Sequence, residues 1–288
     1  MLGRLWRIVY RSWIRFADDD GWAIASHIAL SGLTSLFPFL ILVGALAGFI
    51  GTPDLAQRAT SLLFESWPPQ VAGPIAREVE NVLTQPHTGL ATLSALLAVY
   101  FASSAVDAVR IGLNRAYDQT DARAWWLLRL ESVFFVLVGA VALMGFTFLV
   151  VLEPIVWAAA VRFLPHLADL QGLFDAVRLA TISLILVATL VFAHKFLAAG
   201  QRSFAQIAPG VALTLLLWLA FGEGFGFYLA RFSQNYVTTY AGLASVMIAL
   251  VFLYVLSAIF IFGGEVNASI AATRQKNTGA QDVLRAGD

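Results

Sequence analysis

Four histidines, His27, His87, His166 and His194, stand far apart, and no HxH or HxxxH pair occurs among them. Metal-assisted cleavage of a phosphodiester needs His and carboxylate ligands close together, to hold the cation and activate water. The chain offers no such constellation, so nuclease chemistry is not expected. With no cysteine, it has no thiolate nucleophile, thiolate metal site or disulfide frame. A GxxxxGK[ST] loop that would cradle a nucleotide phosphate is absent, as is a basic groove interleaved with aromatics for nucleic acid. What remains is the chemistry of ionisable groups set among apolar residues. Glu223 is the sharpest case, with no lysine or arginine within seven positions on either side. A charged group at membrane depth costs roughly 2.5–3.5 kcal/mol on insertion scales. Glu223 must therefore face a cavity, take a partner from another helix, or be protonated; Arg231 and Glu153 are the partners considered.

His27, Asp107, His194 and Glu265 each fall near the end of a different apolar stretch. Each reads either as a boundary residue wetted by head groups or as one part of a shared polar site. Glu265 sits in GGEVN, where two glycines allow close helix approach, and an arginine from the stretch after Val106 is its expected partner. The segment Thr34 to Pro38 supplies a further candidate. Pro38 lacks an N–H and clashes with the carbonyl of Thr34, which predicts a kinked or opened helix whose freed groups Ser31, Gly32, Thr34 and Ser35 help to satisfy. The candidate substrate-binding set is thus Thr34, Ser35, Pro38, His27, Asp107, Glu223, Glu265 and Asn267. No catalytic residue, metal or cofactor is expected.

These residues need elements to carry them, and composition says which kind. Hydrophobic residues make up 59% of the 288 and charged residues 12%, against roughly 25% charged in an average soluble domain. The expected fold is all-α: a polytopic membrane protein of six transmembrane helices with a kinked first span. A run of about 20 apolar residues crosses a hydrocarbon core. Such runs lie at about 23–50, 90–106, 132–152 (stopping at Glu153-Pro154), 179–196, 210–229 (starting after Pro209) and 242–262. Together they make a membrane domain over 21–272. Gly44/Gly48 and Gly222/Gly226 are small-xxx-small pairs suited to close helix contact. Residues 1–20 form an amphipathic interfacial helix, with Leu2, Leu5, Trp6, Val9, Trp13 and Phe16 on one face and Arg4, Arg7, Arg11 and Arg15 on the other. Asp18 to Asp20 offer N-caps for the helix that follows. The loop 51–89 contains amphipathic pieces expected as short periplasmic helices, and 273–288 reads as a flexible tail. No removable signal peptide is expected at the N-terminus.

Six spans put both ends on one side. That side would carry thirteen lysines and arginines and the other five, so both termini are expected in the cytoplasm.

Four stretches, ALSGLTSLFPFL, VDAVRIGLNRAYD, APGVALTLLLWLAFGEGFGFYLARF and YAGLASVMIALVFLYVLSAIFIFGGEVNA, resemble the YihY/BrkB family of bacterial inner-membrane proteins, once described as ribonuclease BN. The resemblance covers nearly the whole chain. One departure is Tyr240-Ala241-Gly242, where the family usually has Tyr-Gly-Ser. The resemblance implies a six-helix bundle in the inner membrane and, as a proposal made for the family, transport of lipid or envelope precursors. The expected function is a non-enzymatic protein that moves or helps move such an amphipathic component, with membrane lipids as ligands, an envelope-transport protein or a second copy as partner, and no nucleic acid. The alternatives are a proton-coupled carrier of a small solute and a scaffolding subunit.

Overall fold

The structure, a computed structural model, describes residues 2–50, 72–73, 91–163, 171–240 and 244–285. Those residues form helices and connections, without a strand. The helices are α1 (Leu2–Asp18), α2 (Gly21–Ile50), α3 (Ala91–Ala116), α4 (Trp125–Phe163), α5 (Gln171–Phe192), α6 (Phe204–Tyr240) and α7 (Ala244–Arg285). A π-helical turn, Ala193–Leu197, closes α5. The helices expected in the loop 51–89 and the Gly44/Gly48 contact lie outside what the structure describes.

Among the described residues, three segments are long and apolar enough to cross a membrane: Trp125–Leu143, Phe204–Arg231 and Val246–Arg274. Their outward side chains suit lipid; Leu216, Leu219 and Phe227 of α6 are all strongly exposed. Within the bundle α2 packs along α3 and α7, α6 along α7, and α1 against α7. One core gathers Phe16, Ile28, Leu113, Val211, Phe260 and Ile261, and a second stacks Phe225 on Phe252 near Leu229 and Ile248. Small residues set the crossings. A Cβ on Gly210 would fall on the Gly263 carbonyl oxygen and lie 2.6 Å from Asn267 Cγ, and one on Gly112 would meet Ile261 and Ile24 at 2.7 and 2.8 Å.

Several helix limits differ from expectation. α3 continues ten residues past 106 to Ala116, so the stretch VDAVRIGLNRA is helix, not loop. α4 starts at Trp125 and runs through Glu153-Pro154, and α6 begins five residues before Pro209. In apolar surroundings neighbouring helices, side chains and local adjustments re-satisfy the groups a proline frees, so proline is tolerated inside the helix. α2 likewise continues through Pro38. There Ser35 does not serve the freed backbone of its own helix: its hydroxyl donates to the Phe101 carbonyl of α3 at 2.7 Å. Gly222, expected at a close contact, has open space where a Cβ would stand. Residues 273–285 of the expected tail form the last turns of α7.

Between α1 and α2 the chain turns at Asp20, with φ of 56°. Gly21 fits under Phe16 there, because a Cβ would lie 2.5 Å from that ring.

Candidate functional site

The GGEVN segment of α7 is where the bundle's polar groups meet. Gly263 and Gly264 bring α6 and α3 against α7: a Cβ on Gly264 would lie 3.1 Å from Ala116 and 3.9 Å from His194 Cε1. That approach places Glu265 and Asn267 inside, both buried. Glu265 Oε2 accepts from Arg15 Nε at 2.9 Å. The arginine comes from α1, not from the stretch after Val106 as the sequence suggested. Arg15 therefore leaves the solvated face expected for it; it also donates to the Ala116 carbonyl at 3.3 Å. Burial works to lower the Arg15 pKa, but its hydrogen bond to Glu265 and that carboxylate's charge leave it raised.

Asn267 links two more elements. Its Oδ1 accepts the N–H of Gly210 in α6 at 2.7 Å, and its Nδ2 donates to the Tyr117 hydroxyl at 3.1 Å. Tyr117 Oη then lies 2.7 Å from Nδ1 of His194, which the π-helical turn presses into the core beside Phe260. Burial pushes the Tyr117 phenol up to about 12. The result is a buried polar chain, Gly210–Asn267–Tyr117–His194, with Arg15–Glu265 beside it. Glu265 Oε1, His194 Nε2, Thr214 Oγ1 and Ser269 Oγ are buried and have no hydrogen-bond partner among the described residues.

A cleft of about 340 Å³ opens next to this chain. Arg15, Tyr117, Asp118, Gln119, Arg202 and Asn267 line it, with Ala268, Ala271 and Ala272 on one wall. Arg202 lies over the Tyr117 ring at 3.7 Å.

Asp107 belongs to a separate strap between α3 and α4. Its carboxylate pairs with Arg110 and Arg129 and accepts from Ser132 Oγ at 2.6 Å. Arg110 also donates to the Leu128 carbonyl at 2.8 Å, and Arg129 stacks over Tyr100 at 3.9 Å. This geometry ties two helices together and leaves Asp107 no free oxygen.

The remaining candidates do not join the chain. His27 is exposed on α2. Thr34 is exposed and donates back to the Leu30 carbonyl at 2.8 Å. Pro38 is half-buried in the same helix. Glu223 is exposed on α6, and among the described residues no partner from another helix meets it. Arg231, considered for that role, stacks over Phe227 at 4.3 Å; the Glu153 side chain lies outside the described residues. Of the eight candidates the structure thus brings Glu265 and Asn267 together. Sequence reasoning missed Arg15, Tyr117 and Arg202. Only the short spacing of Tyr117 from the Asn114-Arg115 pair hinted at a polar helix end there.

The sequence pattern of the family described as Virulence factor BrkB matches residues 12–285, from Ser12 on α1 to the end of α7. The chain belongs to the BrkB family. Among its relatives, this BrkB chain is 26% identical over 264 residues to a ribonuclease-like protein, YfkH, of Bacillus subtilis, covering 88% of the chain and 91% of YfkH. It is 28% identical over 270 residues to a UPF0761 membrane protein of Rhodospirillum centenum, and 26% identical to one of Xanthomonas campestris. The alignments take in 56% and 60% of those two proteins, so the BrkB chain spans little more than half the length of its UPF0761 relatives. No solved structure matches it. The family resemblance read from the four stretches is borne out, and the protein is a helical membrane protein.

Proposed function

We propose that this chain is a non-enzymatic inner-membrane protein that moves, or helps move, a lipid or another amphipathic envelope component between leaflets. The observation carrying this reading is the cleft beside the buried polar chain. Arg202 stands over it as a cation with no carboxylate partner among the described residues, Arg15, paired with Glu265, and Asp118 share its wall, Asn267 lies within it, and apolar α1 side chains are exposed on the adjoining helix, with Trp6 at 71% and Trp13 at 49%. An anionic head group finds charge and hydrogen bonds there, while acyl chains find the outward apolar faces.

The reading places α2 to α7 as six spans with both termini in the cytoplasm. Arg15, Arg115 and Arg202 come from segments distant in sequence, yet the Arg15–Glu265 and Arg115–Asp19 pairs and the shared cleft wall gather them around the ends of α1, α3 and α6. That clustering supports one basic, cytoplasmic side. Membrane lipids are the ligands; a gradient or an envelope-transport partner supplies any energy.

The test is leaflet exchange of a fluorescent anionic phospholipid by purified protein in sealed liposomes. Exchange above protein-free liposomes that falls about tenfold in a folded Arg15→Gln variant is the expected result. Exchange at the protein-free rate, with folded and inserted protein, would sink the reading. A proton-coupled carrier of a small polar solute is the second reading, favoured by the buried carboxylate of the Arg15–Glu265 pair. It requires proton-linked uptake that Glu265→Gln abolishes.

A further inference from the structure

Several arginines at this end of the bundle meet carboxylates. Arg15 meets Glu265, Arg115 meets Asp19, Arg123 meets Asp121, and Arg110 and Arg129 share Asp107. Arg202 and Lys195 differ, because neither has a carboxylate partner among the described residues. Arg202 donates through Nη2 to the Ala199 carbonyl at 2.7 Å, and its Nη1 is buried with no hydrogen-bond partner among the described residues. Lys195 Nζ donates to the Arg202 carbonyl at 2.9 Å and lies 4.4 Å from the Phe204 ring. Burial lowers the Arg202 pKa, the direction expected of a cation desolvated without an anion.

Both cations line a second cavity, of about 930 Å³, between the connection from α3 to α4 and the loop after the π-helical turn. Arg123, Asp121, Thr120 and Ser203 share its wall. Asp121 is its one carboxylate, and it is already held by Arg123 at 2.6 and 2.8 Å and by Asn114 at 3.5 Å. That pair cancels itself, leaving the cavity a surplus of two positive charges from Lys195 and Arg202. The π-helical turn accounts for the placement: its widened backbone sends His194 into the core and its neighbour Lys195 to the cavity. Arg202 also borders the 340 Å³ cleft, so it stands between the two spaces.

We propose that this cavity binds a phosphate group, held by Lys195 and Arg202. A tetrahedral anion suits the pair, with the ammonium as a compact charge, the guanidinium as a directional donor, and the hydroxyls of Thr120 and Ser203 to complete the shell. The phosphate comes either from a lipid head group at the membrane surface or from a soluble phosphorylated compound. Only the lipid source rests on the transport reading above.

The test uses the full chain in nanodiscs. Inorganic phosphate is titrated against protein in phosphatidylcholine discs, with chloride at matched ionic strength as control. Retention of phosphatidic acid is measured by mass spectrometry in mixed discs. The wild type is expected to bind phosphate in at least one arm, with affinity weakened about tenfold or more in Lys195→Gln and in Arg202→Gln, and unchanged in Arg231→Gln. Binding from solution identifies a soluble source, and retention from the disc alone identifies the head group. If Arg202→Gln does not fold, Lys195→Gln decides. A wild type that binds in neither arm, or glutamine variants that bind as the wild type does, would overturn the site. Leaflet exchange measured in parallel separates the two ideas. Exchange without phosphate binding removes this site and leaves transport standing; phosphate binding without exchange does the reverse.

Discussion

The buried Tyr117 hydroxyl has two side-chain partners, His194 Nδ1 at 2.7 Å and Asn267 Nδ2 at 3.1 Å. Tyr117→Phe keeps the ring beneath Arg202 but strips both contacts. It should destabilise the protein by about 1–3 kcal/mol, the cost of leaving buried polar groups unpaired, read from thermal unfolding in detergent. Glu265→Gln removes the charge that Arg15 meets. The expected loss is about 3 kcal/mol, the lower end for a broken buried pair because the Arg15 side chain keeps 25% of its exposure. Asp121 gives a pH test. The Arg123 hydrogen bonds hold its carboxyl at about 2, against 3.8 unperturbed, so the folded state takes up the proton less readily than the unfolded chain. Its contribution is present above about pH 4 and lost as pH falls toward 2. Unfolding midpoints should drop across that window, and Asp121→Asn should remove that part of the drop.

Two glycines on α6 make opposite predictions. At Gly210 an added Cβ meets backbone, the Gly263 carbonyl, which no rotamer change can relieve. Gly210→Ala should cost several kcal/mol or abolish folding, seen as lost monodisperse protein after extraction. At Gly222 nothing stands within 4 Å, and alanine should gain up to about 1 kcal/mol from its better helix propensity. The contrast also explains what could be read in advance. Apolar runs located the helices, because hydrocarbon thickness imposes length. Their ends were less legible: Pro154 and Pro209 look like boundaries, yet both lie inside helices. Nor could spacing tell Gly222, which faces outward, from Gly210, on which a helix crosses. The same holds for the site. GGEVN stood out as two glycines before a carboxylate and an amide. Arg15 lies 250 residues from Glu265, and no local pattern joins them; Tyr117 became visible only once α3 was seen to run to Ala116.

At the scale of the whole molecule, orientation is open to direct measurement, since the chain has no native cysteine. Single cysteines at Gln201 and Arg162, both exposed, should react with an impermeant maleimide from opposite sides in oriented vesicles, Gln201 from the cytoplasmic side. Labelling of both from one side would contradict the six-span arrangement. The outward stripe of α6 carries one more consequence. Leu216, Leu219 and Phe227 offer lipid an apolar surface, and Glu223 interrupts it. A carboxylate in that position draws water and head groups down along the helix, and a bilayer answers such a demand by thinning locally. Around α6 the hydrocarbon barrier would then be shallower than elsewhere, and the membrane itself would become part of the apparatus.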